Sequence, residues 1–419
     1  MSREAYIVGV YSTEFRKWPA RSFKELTREA YLGVLADAGL ADGSLLESAW
    51  FANSGMGAWG QTSIRGQVCI APLARERLFP AHIPIINVEN ACATGSTAIH
   101  AAWKDVLSGQ TGLSLAIGVE KLCFTGIDKR QVFEGFTAGL DNFDPQDWME
   151  EYRGLCAAQD QVFETGPDRT LFVDACAARA RWHMRRHGTT IGQIAAACSK
   201  SHWYGARNPK AQYQFEIPVK AVLADRVVSA PLTRAMCAMP GDGAAAVLLC
   251  SGEMLRSLPA GSRGRAVILQ ASAAAGAAFR TMGESGLASV AAAKAFRMAG
   301  IGPADVDVAE VHDGTSFCEV EQVEALGFCA AGEGGPFIDS GATGPGGRIP
   351  VNTSGGLVSK SHPVAATGLS MAGELATQLR HEAGERQVSD ARVALLHNAG
   401  GAIGLDDAFC SVMILRSLT

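Results

Sequence analysis

Helix-period and strand-period runs alternate along this chain, and the alternation occurs twice. The segment "SFKELTREAYLGVLADAGL" (22–40) places its apolar residues on one helical face and ends near a glycine. The apolar stretch "LLESAWFANSG" (45–55) follows. A branched run, "HIPIINVE" (82–89), then leads into the small residues of "NVENACATGSTAIHAA" (87–102) and the strand-like "LSLAIGVE" (113–120). The same order returns as the helix "GLASVAAAKAFRMAGI" (286–301), the strand "DVDVAEVHDG" (305–314), the small-residue helix "SHPVAATGLSMAGELATQL" (361–379) and the strand "ARVALLHNAGG" (391–401). The closest local match sets "AGLADGSLLESAWF" against "AGIGPADVDVAEVH". This points to an internal duplication of α/β halves with largely parallel sheets. The two small-residue helices can lie close to their neighbours and are expected at the centre.

Residues 1–120 and 241–265 read as the N-terminal half, and 266–419 as the C-terminal half. Between them, 121–240 is richer in aromatic, charged and proline residues ("DNFDPQDWMEEYRG", "KSHWYGARNPKAQYQF") and reads as an inserted loop domain covering a site. The apolar strand "PGDGAAAVLLC" (240–250) then closes the first half.

Composition narrows the picture. Hydrophobic residues make up 47% and charged residues 19% of the 419, as in a globular chain with a large interior. The net charge of −5 supplies no cationic excess for a general nucleic-acid binder. No apolar run approaches bilayer length and no charged leader precedes one, so a soluble, cytoplasmic protein is expected. The eleven cysteines form no CxxC pair, which favours reduced thiols and gives no structural zinc site; no metal is expected.

Candidate chemistry centres on Cys92, at the first turn of a helix. Unpaired backbone N–H groups there would lower its pKa and could hold an oxyanion. A buried, inert thiol is the alternative. A nucleophilic cysteine needs a base. His312 and His397 each end a strand, and His362 lies where a glycine-rich loop enters a helix, so all three stand where sites form in α/β folds. The stretches "NTSGGL" (352–357, with Gly355) and "HNAGGAIG" (397–404, with Gly400 and Gly401) let backbone approach a ligand, or are ordinary tight turns. Neither has nucleotide-binding spacing.

Together with "GTTIGQIAAACSKSHWYGARNPKAQY" (188–213), "PGDGAAAVLL", "EVHDGTSF" and "NTSGGLVSKSHPVAATG", these blocks make the chain resemble the thiolase superfamily, within it the sterol-carrier/lipid-transfer type. The resemblance runs from about residue 3 to the C-terminus. It implies the thiolase fold: duplicated α/β halves in a five-layered α-β-α-β-α arrangement with an inserted loop domain. It implies chemistry on coenzyme A thioesters, with coenzyme A as substrate and no tightly bound cofactor. Cys92 would be the acylated nucleophile, His362 its base, and His312 a holder of the thioester oxygen. Backbone N–H groups of Cys92 and of the Gly400–Gly401 turn would form an oxyanion hole, with Gly355 a further backbone contact.

Related thiolases often carry a cysteine that moves the α-carbon proton at the position held here by Gly314, or at that held by His397. His397 is therefore the candidate acid/base, with Cys318 a weaker one. The family also implies a homodimer or higher assembly. One branch works with a separate small zinc-ribbon/OB-fold subunit, as in thiolases acting on benzoylsuccinyl-CoA. No lipid-carrier domain or zinc ribbon is expected after "SVMILRSLT". A ketoacyl-synthase-like condensing enzyme and a non-catalytic scaffold are the alternatives, and a side-chain retro-aldolase is disfavoured because Cys92 is retained.

Overall fold

The computed structural model describes residues 4–418, apart from the side chains of 129 and 134–137; residues 1–3 and 419, which the two expected halves include, lie outside the described residues. The apolar runs form strands β1 (Ala5–Ser12), β2 (Ser48–Ala52), β3 (Ile85–Val88), β4 (Leu113–Glu120), β5 (Val227–Ser229), β6 (Leu232–Thr233), β7 (Gly243–Ser251), β8 (Val267–Gly276), β9 (Val308–Val311), β10 (Val393–Gly400) and β11 (Phe409–Arg416). All but the β5–β6 ribbon join one sheet in the order β3-β2-β4-β7-β1-β8-β11-β10-β9.

That order is nearly palindromic. From the centre outward, β1-β7-β4-β2 and β8-β11-β10-β9 repeat one pairing pattern: antiparallel, antiparallel, then parallel. Beyond β2 lies the parallel β3; beyond β9 its counterpart is reduced to the parallel bridge between Ala309 and Val351. Among the described residues, the halves meet edge to edge through Tyr6–Ile268 and Ile7–Val267. The sheet is thus mixed rather than largely parallel. The link between β10 and β11 is too short for the helical crossover a parallel pair requires. Strand β7 returns antiparallel beside β4, with Gly243 opposite Glu120.

Layering follows from which face of each strand is apolar. The helix Phe23–Asp37, started by a capping box between Ser22 and Glu25, buries Leu26, Ala30 and Val34 on one outer face with Val8, Leu115 and Leu248. The helix Leu287–Ala299 covers the opposite outer face with Ala291, Ala295, Val412 and Leu395. Between the two sheet halves lie the small-residue helices Thr94–Ser108 and Val364–Leu379, packed with Val247, Leu269 and Leu396. This is the five-layered arrangement of helix, sheet, helices, sheet and helix. The central helices touch backbone to backbone: a Cβ on Gly95 would stand 2.7 Å from the Ala365 carbonyl oxygen, and one on Gly368 would stand 2.5 Å from the Ser96 nitrogen. Their small-residue composition is what permits that approach.

Residues 121–240 are mostly helical, with Leu171–His187 and Ile191–Ala206 the longest members. They pack on the helix Ser316–Ala325 of the second half through Ala177, Ile194, Phe317 and Val320. Among the described residues, no helix is long and apolar enough to cross a membrane.

Candidate active site

Cys92 sits on a single tight turn, Ala91–Ala93, just before the central helix Thr94–Ser108. Ala91 adopts φ 46°, a left-handed conformation that a residue with a side chain rarely takes. Thr94 holds the turn. Its hydroxyl accepts from the Asn90 N–H (2.9 Å) and donates to the Ala91 carbonyl (2.6 Å). The second half brings His312 from the end of β9 and His362 from the entrance of the other central helix. One donor atom from each of Cys92, His312 and His362 lies within 4.8 Å of the others. The imidazoles meet edge to face, with centroids 5.1 Å apart at 74°.

Hydrogen bonds distinguish the two histidines. His362 Nδ1 lies 2.7 Å from Thr367 Oγ1. The Thr367 hydroxyl donates its proton to the Pro363 carbonyl, so it accepts from Nδ1–H. That assignment leaves His362 Nε2 a lone pair, buried and without a hydrogen-bond partner among the described residues. Burial, with His312 alongside, holds His362 well below the usual imidazole range. Burial alone lowers His312 to about 4. Both rings are neutral at pH 7.

The thiol differs from the expectation of a lowered pKa. Burial, then the Asp407, Glu89 and Glu120 carboxylates, push Cys92 up to about 12, and its own backbone N–H only partly opposes them. Low dielectric and nearby negative charge outweigh the helix terminus. Because the thiolate fraction then rises tenfold per pH unit up to the pKa, alkylation of Cys92 by iodoacetamide is expected to accelerate without a plateau through pH 9. A plateau in the pH–rate curve below pH 8 would show a free thiolate and overturn this.

The remaining residues named from sequence fall in different places. Gly400 touches the Cys92 turn: a Cβ there would lie 2.5 Å from the Cys92 nitrogen. Gly401 follows at φ 68°, beside Ala408 and the Gly139 carbonyl. Gly355 is elsewhere, against Gly205 of the inserted segment. His397 does not join the cluster. Alternation along β10 puts it on the outer face with Leu395 and Ala399, where its Nδ1 accepts from the His312 N–H at 3.4 Å. Burial and His312 lower it to about 3. Cys318 lies buried with its sulfur 3.6 Å from that of Cys176, on the inserted segment. At Gly314, a Cβ would meet only His312 Nε2, at 3.7 Å.

Asn398, the residue after His397, is the one on the site face. Its amide donates to the Cys92 carbonyl at 3.2 Å and lies 3.1 Å from His312 Nδ1. Sequence reasoning passed over both Asn398 and Thr367. The period-two alternation of "ALLHNAGG" was the available signal for Asn398. A cavity of ≈ 1280 Å³ opens beside the turn, floored by Asn90, Ala91, Gly400 and Gly401 and walled by Trp148 and Phe279.

The duplicated five-layered fold, with a cysteine and two imidazoles where its halves meet, is a thiolase fold. The family described as "Thiolase, N-terminal domain" matches residues 5–230, and "Thiolase C-terminal domain-like" matches 273–414. The chain belongs to the thiolase family, a family of acyl-CoA acyltransferases. It is similar to an acetyl-CoA acetyltransferase of Methanothermobacter thermautotrophicus (34% identical over 407 residues, 96% of this chain and 97% of the relative). It is also similar to sterol carrier protein 2 of Rattus norvegicus (33%, 94% of this chain and 69% of the relative). The benzoylsuccinyl-CoA thiolase subunit BbsB of Thauera aromatica is 29% identical over 96% of each chain. Among solved structures, an Ltp2-ChsH2(DUF35) aldolase shares the fold, with a TM-score of 0.77 at 22% identity over 99% of this chain and 98% of that one.

Proposed function

We propose that this enzyme cleaves a 3-oxoacyl-CoA with coenzyme A, or runs the reverse condensation, through an acyl group carried on Cys92. The observation that carries the reading is the approach of the Cys92 thiol to a buried imidazole, His362, whose Nε2 lone pair is free to accept a proton. In the first displacement Nε2 takes the thiol proton as sulfur attacks the 3-keto carbon. Backbone N–H groups of the Cys92 and Gly400–Gly401 turns hold the oxyanion. The bond to the α-carbon breaks, and its electron pair becomes the enolate of the departing acyl-CoA. His312 steadies the enolate oxygen. His362 then gives its proton to the α-carbon, so the balance closes although Gly314 supplies no thiol and His397 faces away. In the second displacement His362 takes the proton of coenzyme A, whose sulfur collects the acyl group and releases Cys92 as thiolate. The proton then returns to Cys92.

Coenzyme A acts as a substrate in this reading, and no tightly bound cofactor or metal is required. The printed names of relatives bear on the rest. One is an acetyl-CoA acetyltransferase, another a subunit of benzoylsuccinyl-CoA thiolase, and the aldolase neighbour's name joins two components. They support acyl-CoA substrates, a bulky or aromatic acyl group among them, and a small partner subunit. A cytoplasmic homodimer or larger assembly completes the proposal. Quenching the enzyme with substrate before coenzyme A is added, followed by peptide mass analysis, is expected to show the acyl mass on Cys92. Turnover with Cys92 unlabelled would overturn the proposal.

A further inference from the structure

We propose that Asn398 is a positioning residue that holds His312 in the tautomer with its proton on Nε2, and that it does so by anchoring its amide on the nucleophile's own carbonyl. The inference rests on the reading of His312 as the group that donates to the substrate oxygen.

The argument is one of donors and acceptors. Asn398 is fully buried on β10, where alternation turns it toward the central helices. Its amide nitrogen lies 3.2 Å from the Cys92 carbonyl oxygen, which can only accept. The amide cannot be reversed without setting its oxygen against that carbonyl, two acceptors in a buried site. The NH2 group therefore also faces His312 Nδ1 at 3.1 Å, so Nδ1 must accept. A neutral imidazole that accepts at Nδ1 carries its hydrogen on Nε2. That nitrogen lies beside Gly314, where a Cβ would stand 3.7 Å away. Thr367 sets His362 the opposite way, with its proton on Nδ1. Two neutral rings in contact are thus assigned opposite duties, one donor and one acceptor, by one amide and one hydroxyl.

The amide also spans the halves. Cys92 and Asn398 stand 306 positions apart in sequence, so correct placement of the nucleophile's turn and correct protonation of His312 depend on the same group. Gly368 leaves the room: a Cβ there would stand 2.5 Å from Asn398 Oδ1.

The test is ¹⁵N NMR of the full-length enzyme labelled with ¹⁵N-histidine, the His312 signals being assigned by their loss in His312→Gln. In the wild type at pH 7, His312 is expected to show an unprotonated Nδ1 and a protonated Nε2. In Asn398→Asp, which offers only acceptors, Nδ1 is expected to be protonated. In Asn398→Leu the exclusive Nε2–H form is lost, and kcat falls at least about tenfold with the loss of an ordered hydrogen bond. A wild-type His312 carrying its proton on Nδ1 overturns the inference, whether or not the variants fold. An Nδ1 unchanged in folded Asn398→Asp also overturns it. If the tautomer behaves as stated while no acyl group appears on Cys92, the positioning role stands and the thiolytic reading fails.

Discussion

Replacing Cys92 with alanine is expected to lower acyl transfer by about 10⁴- to 10⁶-fold, the scale on which removal of a covalent nucleophile is felt. The fold is expected to survive, because Cys92 belongs to none of the hydrophobic clusters that hold the five layers together. Its turn is closed by backbone and by Thr94, not by the thiol. The thiol stands in an environment that resists ionisation, so in the proposed mechanism its reactivity depends on handing its proton to His362 while substrate is bound. On that proposal, truncation removes both the attacking atom and that proton. Steady-state cleavage of a 3-oxoacyl-CoA in the presence of coenzyme A, alongside denaturant midpoints for both proteins, checks the two halves of the statement. Residual activity within about tenfold of wild type would place the chemistry elsewhere.

The second large effect comes from a residue without a side chain. In Gly400→Ala, the new Cβ would stand 2.4 Å from the Ala93 nitrogen, 2.5 Å from the Cys92 nitrogen and 2.6 Å from the Asn90 carbonyl oxygen. Every one of these atoms is backbone, so no rotamer change relieves the contact. Either β10 or the Cys92 turn must move. Overpacking of this kind costs about 1–3 kcal/mol. Displacing Cys92 and the proposed oxyanion hole is expected to lower kcat about 10²-fold, as small misplacements of reacting groups do. Both numbers come from one purified variant, by urea titration and by initial rates. Near-normal kcat with a normal midpoint would mean that this backbone contact has more slack than the structure shows.

Much of the architecture was legible because burial leaves a periodic trace. The helical face of 22–40 and the continuous runs at 113–120 and 240–250 each became the expected element, the last as β7 from Gly243 to Ser251, and the doubled order reappears as the near-palindromic sheet. Strand direction was less legible. Apolar runs carry no sign of whether a neighbour is parallel, and the mixed sheet follows from a short link at β10–β11 and a long excursion between β4 and β7. Within the site, Cys92, His312 and His362 come together, while His397 and Gly355 point to other neighbours. His397 shows the limit of the linear reading: β10 does not end at His397 but continues to Gly400, and a one-residue step decides which face of the sheet a side chain occupies.

The sequence by itself determined the order of elements, the duplicated pattern, the small-residue helices and a short set of candidates, Cys92, His312, His362 and His397, of which the fold gathers the first three. These are local properties, written in spacing and residue type. Only the tertiary structure decided that Asn398 rather than His397 faces Cys92. It also set the burial and nearby carboxylates that raise the Cys92 thiol, and the different hydrogen-bond partners at Nδ1 of His312 and of His362. Each of those outcomes depends on atoms brought from the two halves of the chain, where burial, nearby carboxylates and a buried carbonyl set protonation through distances that no linear pattern encodes.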